Sequence, residues 1–386
     1  MTITKLTRTD LAPDLEAYQA LFAQAELSHP APSLSGDLQP RLFYGLEQLL
    51  YTPAVSSFML VKAPEEPEYL QWLAAETRTL HEPAAPLYGV RYEVTDAQVT
   101  LAPAQGAEDN FASTAPVVMA DWVEAEQLFG CVRQFNGAIT LQPGLVHQAN
   151  GGVLVLSLRT LLAQPLLWVR LKNMVTRQRF DWLSMDESRP LPVSIPSMPL
   201  SLKIILVGER ESLADFQEME PELAAQAIYS EYEDTLQFAD ADTLKAWCQW
   251  VWQNAQQLEL PGPAADAWPL LGTRYTGDQE TLPLSPLWIT RQLREAAAFC
   301  EGEEITGEAM QTMLARRVWR EGYLAERMQD EILQEQILIE TEGECVGQIN
   351  ALSVIEFPGH PRAFGEPSRI SCVVHIGDGE FIDVER

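Results

Sequence analysis

Three short apolar runs, Ser57–Val61 (SFMLV), Val153–Leu156 (VLVL) and Leu202–Val207 (LKIILV), constrain the fold of this chain more than any other feature. Runs this short suit strands rather than helices. Their apolar residues follow one another without polar alternation, so each strand must be covered on both faces, as in a parallel sheet. Between the second and third runs, Leu158–Arg177 has helical spacing, which makes the order strand, helix, strand. Ahead of the first run, Gln39–Leu50 (QPRLFYGLEQLL) reads as an amphipathic helix. The expectation is an α/β fold with a parallel sheet and flanking helices. Tyr88–Leu101 alternates apolar and polar residues around Thr95-Asp96 and is expected as a hairpin insertion near 88–102.

The remainder of the chain divides by character. Leu15–Leu21 has helical spacing and ends at the proline-bearing HPAPSLSGDLQP, an N-terminal helical arm. From Asp242 the pattern turns helical: Leu244–Leu258 with Trp247, Trp250 and Trp252, then Trp288–Cys300, then Thr306–Gln334 with Thr306 at the N-cap. The tryptophans are expected to pack the core of a small helical domain. After Gln334 strands are expected, with Glu342-Gly343 as the turn between them.

A formal charge of −29 and a pI of about 4.4 argue against a nucleic-acid partner and against an anionic membrane surface, both of which need clustered lysine and arginine. The five cysteines are scattered and none forms a CxxC pair, which reads as reduced thiols rather than a disulfide frame or zinc site. No apolar run reaches the length of a membrane span, and the polar start lacks a signal-peptide core. These features place the expected protein in the cytoplasm.

The segment Gln142–Pro165, QPGLVHQANGGVLVLSLRTLLAQP, carries Pro143, Gly144, His147, Ala149, Asn150, Gly151 and Gly152 ahead of an apolar strand. Further segments of note are Lys203–Glu209, Arg316–Arg327, Ile337–Glu356 and Phe364–Arg386. In these elements the chain resembles the LonB-like branch of the Lon family of AAA+ proteases, from about residue 36 onward. That resemblance implies an arm at 1–35, an AAA+-like α/β domain at 36–241, a helical lid at 242–334 and the β-rich beginning of a Lon-type protease domain at 335–386. It also implies ATP-dependent serine endopeptidase chemistry, protein substrates or partner proteins, and a homo-oligomeric ring. The family's serine–lysine dyad is expected beyond Arg386, since the last lysine of this chain is Lys245.

Nucleotide chemistry departs from that pattern. A phosphate cradle needs glycines whose N–H groups wrap the anion, a lysine on the phosphates and a hydroxyl for magnesium. After the first strand this chain has Ala63, Pro64, Glu65, Glu66, Pro67 and Glu68, with Glu68 at the lysine position and three carboxylates expected to face a triphosphate. Like charges at contact cost several kcal/mol at an effective dielectric near 20. Ser157 follows the strand Val153–Leu156 where the resemblance implies a magnesium-holding acid, and Pro221–Gln237 contains no arginine. Glu209 reads as a solvated strand end, and Arg294 could occupy a sensor position on the lid or form a surface ion pair. His147 is read as orienting a neighbouring loop; His360 and His375 are isolated. Ser368, in Gly365–Arg369, has no lysine or histidine base nearby in sequence. No catalytic residue, cofactor or metal is therefore expected within the chain. Two functions remain open: the regulatory and assembly portion of a Lon-family endopeptidase, or a non-enzymatic AAA-like scaffold that binds partner proteins.

Overall fold

A computed structural model describes residues 19–22, 35–52, 56–81, 89–95, 98–106, 109–111, 117–184, 188–237, 240–272, 281–340 and 342–374. The chain forms two compact units, Met1–Gly307 and Glu308–Arg386.

The first unit is built on a five-stranded parallel sheet. Its strands are β1 (Phe58–Lys62), β2 (Val117–Ala120), β3 (Val153–Ser157), β4 (Lys203–Gly208) and β5 (Ile228–Glu231), in the order β5-β1-β4-β3-β2. Phe58 stands opposite Ile204, and Lys203 opposite Val153. The period of two sends alternate residues to opposite faces. Phe58, Leu60, Leu154, Leu156, Ile204 and Leu206 join Trp168 and Phe216 in one core, while Met59, Val61, Val153, Val155, Ile205 and Val207 join Leu46 and Leu70 in the other. Burial on both faces explains why these strands contain little polar alternation.

Helices α1 (Pro40–Tyr51) and α2 (Pro67–Leu80) supply the second core, and α3 (Leu158–Ala163), α4 (Pro165–Arg177) and α5 (Arg210–Met219) the first. The expected single helix Leu158–Arg177 is divided at Gln164, because Pro165 cannot donate to the preceding turn and instead opens α4 at its N1 position. The edge strands β2 and β5 were not legible beforehand; each is four residues long. The expected hairpin is present as Val90–Thr95 paired with Gln98–Pro103, while Asp96 of its turn lies outside the described residues. Helix α6 (Ala241–Gln257) starts at Asp240, whose side chain accepts the Thr243 N–H at 2.9 Å. Helix α7 (Pro286–Ala297) follows Ser285. Trp247 and Trp250 are buried as expected and Trp252 is half-buried; the Trp247 indole N–H donates to the Pro283 carbonyl at 2.7 Å.

The second unit contains α8 (Gly307–Glu321) from Glu308 onward, α9 (Tyr323–Leu333), and the antiparallel pair β6 (Gln348–Ile355) and β7 (Phe364–Ser371). Thr306–Gln334 is therefore two helices that meet at Gly322. The hairpin turn lies between Ile355 and Phe364, not at Glu342-Gly343. Pro358-Gly359 is a turn dipeptide, with Gly359 at φ +81°, and it takes the chain back. Of the N-terminal arm, only Gln19–Phe22 is described as helix before residue 35.

Candidate functional site

The loop from β1 to α2 lies beside the ends of β3 and β4. Hydrogen bonds along parallel strands bring those C-terminal ends together: Lys62 pairs with Gly208, and Val207 with Ser157. At the ends of such strands a doubly wound sheet places its ligands. Here the position is held by the protein itself. Glu65 is buried, at 6% exposure, and its carboxylate is surrounded by donors from two other segments. Oε2 accepts the Ser157 hydroxyl and the Arg159 backbone N–H, the latter at 2.7 Å. Oε1 accepts the Ser212 hydroxyl at 2.6 Å, and the Arg159 guanidinium donates to the Glu65 carbonyl at 3.2 Å.

The three carboxylates expected to face a nucleotide separate in the structure. Glu65 turns into the protein, Glu66 is exposed, and Glu68 is half-buried in the first turn of α2. Ala63 is buried, and its N–H donates to the Gly208 carbonyl at 3.1 Å; Pro64 is half-buried and Pro67 opens α2. Ser157 is fully buried and gives its hydroxyl to Glu65.

In the first turn of α2, Tyr69 is buried and its hydroxyl donates to Asp234 at 2.9 Å while sharing a 2.9 Å bond with Ser285. Its ring meets Tyr232 edge-on at 5.0 Å, and Trp72 meets the same ring at 5.0 Å. Burial raises the Tyr232 phenol well above its ordinary range. The hydroxyl donates to the Leu284 carbonyl at 2.6 Å. Tyr69 and Tyr232 thus connect the sheet and α2 to the segment leading into α7.

The segment Pro143–Gly152 serves the backbone. A Cβ on Gly144 would fall 2.3 Å from the Gly130 nitrogen and 2.5 Å from the Leu128 oxygen, so two chain segments cross there with no room for a side chain. The Gly144 N–H donates to His147 Nδ1 at 3.0 Å, which leaves the proton of the neutral ring on Nε2. His147 is fully buried against Phe111, Phe180 and Trp182, with ring centroids 5.0, 4.1 and 5.1 Å away. Burial lowers its pKa to about 3. Nearby, Tyr92 accepts the Trp182 indole N–H at 3.0 Å, and burial raises its phenol to about 12. Asn150 accepts the Ser201 N–H at 2.9 Å and donates to the Pro199 carbonyl at 3.2 Å; the Gly151 N–H donates to the Ser201 carbonyl at 2.7 Å. These contacts hold the chain entering β3 against the chain entering β4.

The remaining sequence-predicted positions lie apart from the Glu65 cluster. Arg294 is exposed on α7, and Glu209 is exposed at the end of β4. In the second unit, Ser368 shares a 2.8 Å bond with the Ser353 hydroxyl, and His360 bonds to the Arg362 and Glu321 carbonyls. His375 lies outside the described residues. Sequence reasoning missed Arg159, Ser212, Asp234 and Ser285. Ser212 is 147 residues from Glu65, and a solitary serine in a surface helix carries no signal that it closes such a cluster.

The family description "LonB-like, AAA domain" matches residues 113–227. The Escherichia coli (strain K12) protein named "Putative Lon protease homolog" is 68% identical over 389 residues, covering 100% of this chain and 66% of that protein. The protein of the same name from Haemophilus influenzae (strain ATCC 51907 / DSM 11121 / KW20 / Rd) is 39% identical over 359 residues, covering 90% of this chain and 60% of that protein. The chain thus spans just under two thirds of the length of these relatives. A crystal structure of NtrX from Brucella abortus in complex with ATP aligns with a TM-score of 0.39 at 12% identity, covering 83% of this chain and 65% of that one, a likeness too slight to bear on function. With the LonB-like AAA match across β2 to α5 and relatives aligned along nearly the whole sequence, the chain belongs to the Lon-like AAA+ family.

Proposed function

We propose that this chain is the AAA+-like regulatory and assembly portion of a Lon-family serine endopeptidase and that it works without binding ATP. In this reading residues 1–35 are an arm, 36–241 the AAA+-like domain, 242–334 a lid and 335–386 the start of the Lon-type protease region. The observation that carries it is the buried Glu65 carboxylate, a negative charge in the loop that would have to receive a triphosphate. At contact distance two such charges repel by several kcal/mol at an effective dielectric near 20. The loop also has no glycine to expose N–H groups to an anion. Arg294 has no phosphate to sense and belongs to the lid surface.

The proposed partners are protein substrates or partner proteins and further copies of the chain, joined by ordinary apolar and polar contacts rather than through nucleotide. Among the described residues no helix is long and apolar enough to cross a membrane, and a cytoplasmic location fits the five cysteines and the absence of any CxxC pair. Calorimetry of the 386-residue chain with magnesium and millimolar ATP is expected to show no heat of binding. Saturable micromolar binding would overturn the reading. The same chain is expected to leave casein intact, since no lysine follows Lys245 to act as the dyad base. Casein cleavage that survives Ser368→Ala would show a different nucleophile at work.

A further inference from the structure

We propose that Glu65 is an internal ligand: its carboxylate occupies an oxyanion position between the ends of β3 and β4 and holds the loop, β3 and α5 in one permanent arrangement. The donors are three, from two segments remote in sequence, and they converge on one group. Ser157 and the Arg159 N–H meet Oε2, and Ser212 meets Oε1 at 2.6 Å. Ser157 is fully buried and Glu65 nearly so, so the bond between them is closed to water, while the bonds from Arg159 and Ser212 are part-buried. The loop is tied a second time by the Arg159 guanidinium on the Glu65 carbonyl at 3.2 Å, and a third time by the Ala63 N–H on the Gly208 carbonyl at 3.1 Å.

Three donors directed at two oxygens suit a small oxyanion. A bound anion could leave the position, whereas a carboxylate attached to the loop cannot. The arrangement is therefore a fixed one, and the strand ends stay locked to the loop whatever the solution contains. Removing the carboxylate should leave a set of donors that a free carboxylate can satisfy. This inference rests on the reading that no nucleotide enters the loop, but it concerns what takes the nucleotide's place.

The test uses the full 386-residue chain. Glu65→Ala is expected to melt several degrees below the parent chain, and sodium formate is expected to restore a large part of that loss with saturation. Sodium chloride at equal ionic strength should restore none, and the parent chain should not respond to formate. A melting temperature unchanged by Glu65→Ala overturns the proposal, as does a loss that formate and chloride treat alike. If Glu65→Ala does not fold, the isosteric Glu65→Gln serves: hydrogen exchange of the Arg159 amide is expected to quicken at least about tenfold when its acceptor loses its charge. An unchanged exchange rate overturns the proposal. ATP binding by the parent chain would sink the functional reading separately, because the formate and exchange measurements contain no nucleotide.

Discussion

Two loops at the ends of core strands use their special residues in opposite ways. Pro143–Gly152 devotes its glycines, histidine and asparagine to bringing backbone segments together: Gly144 against Leu128–Gly130, and Asn150 and Gly151 against Pro199–Ser201. Lys62–Tyr69 works through side chains instead, with Glu65 gathering the Ser157 and Ser212 hydroxyls and Tyr69 reaching Asp234 and Ser285. The comparison teaches that architecture and ligand chemistry separate within one fold. The crossing at Gly144 serves the packing of the unit and needs no ligand, while the first loop can replace a ligand with its own carboxylate and leave the sheet intact.

The strongest test of that contrast is Gly144→Ala. Its new methyl would meet backbone atoms that cannot swing aside, and a loss of about 3 kcal/mol is expected in denaturant unfolding. A loss under about 0.5 kcal/mol would mean that the crossing is not tight and that the comparison fails on its architectural side.

A second test uses pH. His147 has its pKa lowered from 6.5 to about 3 in the folded chain, so the unfolded chain binds the extra proton first. The stability that neutral His147 contributes is fully present above pH 6.5 and declines as the pH falls toward 3, by about 2 kcal/mol between pH 7 and pH 5. His147→Phe should flatten this part of the stability–pH curve even if it lowers the curve as a whole. A slope unchanged in the variant would show that His147 is not the group responsible.

Arg294→Ala marks the small end of the scale. The side chain is exposed, and substitution is expected to change unfolding stability by no more than about 0.5 kcal/mol. A loss above about 1 kcal/mol would show that this arginine takes part in the packing of the unit and would blur the division between the two loops and their surroundings.

Much of the architecture was legible because it rests on local chemistry. Runs such as Val153–Leu156 are apolar at every position and can be satisfied only by cover on both faces, which the two cores provide. Pro165 and Pro358-Gly359 carried signals that the sequence reading passed over: the expected helix Leu158–Arg177 breaks at the first, and the hairpin expected to turn at Glu342-Gly343 turns at the second. The edge strands Val117–Ala120 and Ile228–Glu231 were not legible, since four residues give too short a pattern and their pairing is decided by neighbours far along the chain.

At the candidate site, the sequence by itself determined that Ala63–Glu68 contains no glycine and no lysine and that Ser157, not an acid, follows Val153–Leu156, because those are matters of composition. Which carboxylate turns inward was decided only by tertiary structure. Glu65 and Glu66 are chemically identical neighbours, yet one is buried and the other exposed. The difference comes from donors that the parallel sheet and α5 bring to Glu65 from 92 to 147 residues away. A buried charge is tolerated where such donors converge and nowhere else along the loop, and that convergence exists only once the strands have paired.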